Sequence, residues 1–431
     1  MIDTFVKFEE CINNCLLCRL SKPYLENEYL PEFQVRKNKL RQYFPKLMLL
    51  LENVDFRQQP EIASSTLYSL LILYLELKCA GPWNTKEIQS EDYTGIMNRA
   101  FKTKYNIELG ELLYEDDFYN SQEVFDKCIK ELHQKMTLDD FRKYPGLIEV
   151  YCTLISNVKK CNVTINPVTV LPVALLLVDD FTVSNKVKGL QCCDMIFQCL
   201  PNDFSMGNYY EVIYRSLKNA LLEKDIEVTQ HLFKCVPVFL NILHAEKDSS
   251  QNHVIINKIY RNDELNHQNI KLFGQGTCII LDQLHTESNL YRKAECFDFT
   301  TTIIEMHGIH CVKKNIFKDI VCDNLDICSN EGVYEILAEH VLKCLITWIR
   351  QCWCVWKLPS DHKILSALLK VLYVAKDEKN NLQIQNLIIT LIQLCTKEEQ
   401  TQILNNLESM PNCVNEEFIK KIDTIKQQIC T

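Results

Sequence analysis

Residues Leu171 to Pro201 read LPVALLLVDDFTVSNKVKGLQCCDMIFQCLP. An apolar run meets two adjacent carboxylates, Asp179 and Asp180; Asn185 and Lys186 follow, and a second apolar run begins. In the first half Leu171, Leu175 and Val178 share one helical face, and in the second Val187, Leu190, Cys193, Phe197 and Leu200 do the same. The carboxylates therefore stand at a turn between two helices that each bury a stripe. A carboxylate at such a place can accept the unsatisfied N–H groups of the helix that follows and favours the positive end of its dipole. Lys186 is placed to reach back to Asp179 or Asp180, or to the same turn in a neighbouring repeat. Pro172 is expected to bend the first helix, and Gly189 to let the second approach its partner closely. A metal or acid/base pair is the competing reading. Two sequence-adjacent carboxylates with no partnering histidine or third ligand serve it poorly, so the pair is read as scaffold.

Composition points the same way. The chain has 431 residues, 47% of them apolar, with only 10 glycines and 12 prolines. That leaves little material for the tight turns of a β-sandwich or for phosphate-cradling loops. Leu, Ile, Lys, Glu and Gln take their place, and pattern more than propensity carries the helical reading. Apolar residues recur at three- and four-residue steps in segments such as Pro60 to Cys79, Tyr144 to Lys159, Asn185 to Leu200 and Gly332 to Trp353. Asn166 followed by Pro167, and Thr396 with Glu399, are helix-start signals. Lys397 to Met410 and Asn415 to Ile429 read as two short amphipathic helices that end the chain. The fold class expected is all-α, an α-solenoid of divergent HEAT-like helical repeats, because stacked helix pairs extend without one oversized core. No strict period is visible by eye, although HEAT-like units run roughly 40 to 47 residues.

The net charge of −9 argues against a nucleic-acid or anionic-membrane surface. The densest basic cluster, RKNKLR at Arg36 to Arg41, reads as a solvated helix face. The longest apolar stretch, LYSLLILYLEL at Leu67 to Leu77, is shorter than the roughly 20 residues that span a bilayer and reads as a buried helix. The opening MIDTFVKFEE carries acids where a secretory leader has basic residues, so no leader is expected. The 22 cysteines are scattered without regular spacing and read as reduced, small apolar residues. A cytoplasmic, or also nuclear, protein is expected, with the sequon at Asn162 silent.

The pattern P-x-x-L-L-L-x-D, a short turn, then x-K-x-x-G resembles the HEAT-repeat motif. The longer stretch, continued by YYEVIYRSLKNALLEKDIEVTQHLFKCVPVFLNIL, resembles the Tti-two family, the second Tel-two-interacting proteins of the TTT co-chaperone complex. The family's most recognisable segment is held here by Asp179, Asp180, Asn185, Lys186 and Gly189, and Val236, Pro237 and Leu240 continue the likeness. The resemblance covers Tyr144 to His244 and, more loosely, TWIRQCW at Thr347 to Trp353 and LSALLKVLYVA at Leu365 to Ala375. It divides the chain into a divergent N-terminal helical region, residues 1–143, and a HEAT-like α-solenoid over 144–431 with the family-like segment at 166–244. It implies a non-enzymatic scaffold without cofactors. Such a scaffold would work with Tti-one and Tel-two and the Hsp-ninety system to stabilise phosphatidylinositol 3-kinase-related kinases of the mTOR, ATM and ATR class. Another HEAT-like adaptor, for example in transport or trafficking, is the alternative.

Other motifs serve chemistry poorly. HGIHC, His307 to Cys311, puts two histidines on one helical face with the cysteine turned away and no second ligand cluster at metal spacing. Cys11, Cys15 and Cys18 share a helical stripe with Phe8, the spacing of a core face. FGQGT, Phe273 to Thr277, lacks the remaining glycine and lysine of a phosphate loop. WIRQCWCVW, Trp348 to Trp356, gathers three of the four tryptophans. Core burial is the plain reading of Trp348, Trp353 and Trp356; docking a partner solenoid is the functional one.

Overall fold

The computed structural model describes residues 2–25, 28–84, 92–200, 209–250, 280, 282–307, 316–352, 362–409 and 415–430. Among these residues all regular structure is helical, as expected. The chain divides into two compact units: Met1–Leu217 with Val238–Glu246, and Lys218–Pro237 with Lys247–Thr431.

The first unit carries α1 (Ile2–Cys15), α2 (Pro31–Asn53), α3 (Pro60–Lys78), α4 (Tyr93–Tyr105), α5 (Ser121–Leu138), α6 (Pro145–Asn157), α7 (Pro167–Val178) and α8 (Val183–Gln198). Then α9 (Tyr209–Ala220) and α10 (Ile226–Ser250) each contribute residues to both units. The second unit continues with α11 (Leu290–His307), α12 (Ile316–Ile327), α13 (Glu331–Cys352), α14 (Lys363–Val374), α15 (Glu378–Gln393), α16 (Lys397–Glu408) and α17 (Glu416–Cys430).

Helices pack on their next-but-one neighbours, which is the mark of stacked helical repeats. In the first unit α1, α3, α5 and α7 form one layer by successive contact, while α2 packs on α4 and α6 on α8 in the other. In the second, α11, α13, α15 and α17 form one layer and α12 packs on α14 in the other. Each unit is thus a two-layer helical-repeat stack. The line drawn at residue 143 falls inside the first unit, because α3 packs on both α5 and α6 across it.

The period hidden in the sequence appears as the spacing of cross-repeat bonds. Ser216 donates to Asp179 across 37 residues, Lys188 to Glu149 across 39, Lys379 to Glu339 across 40, and Tyr334 to Asp377 across 43. His340 pairs with Asp298 across 42 residues and Lys370 with Asp326 across 44. Nearer the N-terminus the intervals lengthen: Leu17 bonds to Glu76 across 59 residues and Ser64 to Glu123 across 59. The first repeats are stretched by long connections, so no fixed period could be read from them.

Local signals place the helices. Asn166 accepts from the Val168 amide at 3.1 Å and Pro167 opens α7, while Thr396 and Glu399 form a reciprocal capping box at α16. Helix ends are also closed from the neighbouring repeat. Lys104 of α4 donates to the carbonyls of Leu51, Glu52 and Val54 at the end of α2, and Lys421 of α17 to Leu372 and Ala375 at the end of α14. An ammonium at these sites meets orphan carbonyls and the negative end of the dipole. The run Leu70 to Tyr74 is buried in α3, touched by α1, α4, α5 and α6, which accounts for its apolar character on nearly every face. Among the described residues no helix is long and apolar enough to cross a membrane.

Candidate functional site

The geometry of the aspartate turn shows what occupies the two carboxylates. Asp179 closes α7 and its Oδ2 accepts from Ser216 Oγ of α9 at 2.9 Å. Asp180 is 5% exposed and binds the start of α8: it accepts from the Phe181 amide at 2.8 Å, Thr182 Oγ1 at 2.7 Å and Asn185 Nδ2 at 2.6 Å. Thr182 is the N-cap residue of α8 but makes no side-chain cap bond, since its hydroxyl is turned to Asp180. Arg142 Nη1 lies 3.9 Å from Asp180 Oδ1. One carboxylate therefore ties the turn to the following repeat, and the other organises the turn beside an arginine of the preceding one.

The remaining motif positions gather around the same joint. Pro172 is accommodated inside α7, and Lys186 is buried in the first turn and a half of α8. At Gly189 the backbones of α7 and α8 touch: a β-carbon there would stand 2.8 Å from Leu177 C and 2.9 Å from Ala174 O. Only glycine lets the two helices meet at this distance.

A shallow groove of about 170 Å³ flanks the turn, with Tyr24, Trp83, Arg142, Thr182, Asn185 and Lys188 in its wall. Its charges are paired. Arg142 grips Asp140 with two bonds, at 2.8 and 3.2 Å, and Lys188 reaches Glu149 at 2.6 Å. The Asp140 contact holds the Arg142 guanidinium firmly protonated and the Asp140 carboxyl below its ordinary value. On the rim Phe181 is 61% exposed, with the Arg142 guanidinium 5.1 Å from its ring centre. Arg142 and Lys188 are thus committed to Asp140 and Glu149, which holds the groove's charged wall in place.

Two buried arginines escaped the sequence reading. Arg36, placed there among solvated basic residues, is instead 1% exposed, and its Nη2 lies 2.5 Å from Glu76 Oε1. It also donates to Asn84 Oδ1 at 3.0 Å and the Cys15 carbonyl at 3.3 Å, while Glu76 accepts from the Leu17 amide. Burial pushes the Glu76 carboxyl up, and Arg36 draws it back down. The signal was Glu76 itself, the one charge in LYSLLILYLEL: a carboxylate in a helix buried on all sides requires a cation. In the second unit Arg292 is 2% exposed; it pairs with Glu287 and donates to Thr229 Oγ1, Gln283 Oε1 and the Glu223 carbonyl. Nothing in the local sequence marks Arg292 as buried.

Of the three tryptophans, Trp348 is 3% exposed and packs edge-on against Phe317, 4.6 Å between ring centres, which leaves it no face for a partner. Trp353 and Trp356 lie outside the described residues, as do FGQGT and the glycine, isoleucine, second histidine and cysteine of HGIHC. Cys11 and Cys15 are buried and Cys18 is partly exposed, and all three carry free thiols. Among those residues no group of three or more His, Cys, Asp or Glu could hold a metal ion.

No family model matches the chain. Two curated proteins do. TELO2-interacting protein 2 of Rattus norvegicus is 25% identical over 146 residues, 32% of this chain and 29% of the rat protein. This chain is similar to TELO2-interacting protein 2. The Mus musculus protein of that name is 26% identical over 125 residues, 28% of this chain and 24% of its own. The matched stretch spans less than a third of the length of either relative. Among solved structures an engineered protein aligns over 99% of this chain and 99% of its own at 10% identity and a TM-score of 0.40.

Proposed function

We propose that this chain is a non-catalytic scaffold subunit of a TTT-type co-chaperone complex. In that role it binds Tti-one and Tel-two proteins and, with the Hsp-ninety system, stabilises phosphatidylinositol 3-kinase-related kinases in the cytoplasm or nucleus. The observation that carries the reading is the similarity to two TELO2-interacting proteins. The joint at Asp179, Asp180 and Gly189 supports it, because its carboxylates are committed to structure, Asp179 to the following repeat and Asp180 to its own turn. Stacked repeats expose long ridges on which another helical protein can lie without catalytic residues.

The test is affinity purification of the tagged full chain from its own cells, with mass spectrometry of what stays bound in moderate salt. Two large helical partners in fixed ratio, with kinases in smaller amounts, are the expected result. Coat or cargo components in their place would favour a transport adaptor. A turnover abolished by Asp179→Asn would overturn the non-catalytic reading.

A further inference from the structure

Against one face of α3 lies a cavity of about 330 Å³. A single stripe of that helix lines it, Leu71, Tyr74, Leu75 and Lys78, at the i, i+3, i+4 and i+7 spacing that puts four side chains on one face. The 3₁₀ turn Leu109–Glu111 and the residues after it close a second side with Gly110 and Leu113, and α6 closes a third with Thr153, Leu154 and Asn157. We propose that this cavity binds a small amphipathic carboxylate, with its apolar chain among the leucines of the three walls and its carboxylate on Lys78 and the Tyr74 hydroxyl.

Small-molecule sites are mostly apolar concavities of roughly 300–1,000 Å³ with a few placed polar groups. This one sits at the small end, which suits a short chain and excludes a large cofactor. Its walls are held in place before any ligand arrives, because α3 packs directly on α6 and on the 3₁₀ turn, and the Asn162 amide donates to the Leu113 carbonyl at 2.8 Å. Several polar groups in the wall are already engaged. Thr153 Oγ1 donates to the Glu149 carbonyl and Asn157 Nδ2 to the Thr153 carbonyl, each at 2.8 Å. The Cys79 and Cys161 thiols donate to the Leu75 and Asn157 carbonyls at 3.0 and 3.2 Å.

Two donors are left. Tyr74 is 7% exposed, yet its hydroxyl has no hydrogen-bond partner among the described residues. A buried hydroxyl in that condition carries a desolvation cost that a ligand acceptor would offset. Lys78 holds its Nζ 5.9 Å from the Tyr74 ring centre and forms no ion pair among the described residues. Charge then selects the ligand. Lys78 is charged, and no Asp or Glu lines the cavity. The carboxylates that act on Tyr74 are Glu108, Asp92 and Glu111, and all three are engaged elsewhere. Glu108 accepts from Lys102 and Asn98, Asp92 accepts from the Gly95 amide at the start of α4, and Glu111 accepts from the Glu108 amide. Burial, with these carboxylates around it, keeps the Tyr74 hydroxyl protonated, so it can only serve an anion as a donor. A cationic donor beside a neutral one, at the edge of leucine walls, matches a carboxylate that carries an apolar chain.

The experiment titrates the folded full chain with sodium octanoate in a calorimeter, with 1-octanol and sodium acetate as controls. A diazirine-bearing octanoate then maps the site by photolabelling and peptide mass spectrometry. One octanoate per chain is expected, with acetate and octanol each about tenfold weaker or more, and with label on Leu71–Cys79 or Thr153–Cys161 peptides that octanoate competes away. Lys78 is exposed, so Lys78→Gln leaves the packing intact; it should weaken octanoate about tenfold and leave octanol unchanged. Tyr74→Phe should weaken octanoate about fivefold. Octanol bound as tightly as octanoate, unaltered affinity in either variant, label confined to other peptides, or no saturable binding overturns the proposal. None of these readouts depends on recovery of a partner protein, so failure here is distinguishable from failure of the scaffold reading.

Discussion

Gly189 of α8 lies directly against Val178 of α7: a β-carbon at 189 would stand 2.5 Å from the Val178 nitrogen. In an exposed helix interior, replacing glycine with alanine stabilises by about 1 kcal/mol. Here the sign reverses, because backbone atoms cannot step aside as a flexible side chain would. Gly189→Ala is expected to destabilise by about 1–3 kcal/mol, and the larger Gly189→Val by more. Urea denaturation followed by circular dichroism measures it; an alanine variant more stable than the original would refute the close packing.

The two aspartates differ in what they hold, and their removal should differ too. Asp180→Ala strips the acceptor from one backbone and two side-chain donors in a buried turn, at an expected cost of about 2–3 kcal/mol. Asp179→Ala loses the Ser216 bond, at about 1 kcal/mol, and should show coupling with Ser216→Ala in a double-mutant cycle. The reverse order of costs would contradict the division of labour described for the turn.

Arg36 and Glu76 face each other with both side chains fully out of solvent. Removing one partner leaves an uncompensated buried charge, so Arg36→Met or Glu76→Leu should each cost about 3–5 kcal/mol. The double variant should cost much less than the sum, since both charges leave together. Thermal unfolding of the four proteins tests this; additive losses would mean that the two groups act independently.

His340 and Asp298 join α13 to α11 at 2.9 Å, with Lys343, Glu339 and Glu295 nearby. The bond to Asp298 raises His340 above its ordinary value of 6.5. Its stabilising contribution is therefore complete below pH 6.5 and fades as pH rises through the higher folded-state value. Comparing His340→Gln with the original across pH 5.5 to 8.5 in about half-unit steps should show a midpoint difference that is largest at the acid end. A difference that grew toward alkaline pH would show that the neutral imidazole, not the charged one, makes the stabilising contact.

Much of the local structure was legible in the residues. Asn166 with Pro167 opened α7 and Thr396 with Glu399 opened α16, since caps act within one turn of chain. The apolar run in Leu67 to Leu77 marked a buried helix, and the same run contained the carboxylate that needed a buried cation. Which cation was not legible. Arg36 stands 40 residues from Glu76 inside a cluster of basic residues, and nothing nearby in sequence distinguishes it from Lys37 or Lys39. Trp348 was equally ambiguous, because aromatic side chains serve cores and interfaces alike, and its packing on Phe317 decided the matter.

By itself the sequence determined that this chain is helical, where most helices begin, and that Asp179 and Asp180 stand at a turn; these follow from periodicity and capping, which operate over a few residues. Tertiary structure alone decided that Asp179 reaches Ser216, that Asp180 gathers Thr182 and Asn185 beside Arg142, and that Arg36 is buried on Glu76. Pairings such as Asp179 with Ser216 and Arg36 with Glu76 join residues some 40 apart, where partner choice depends on how whole helices stack and which polar groups that stacking removes from water.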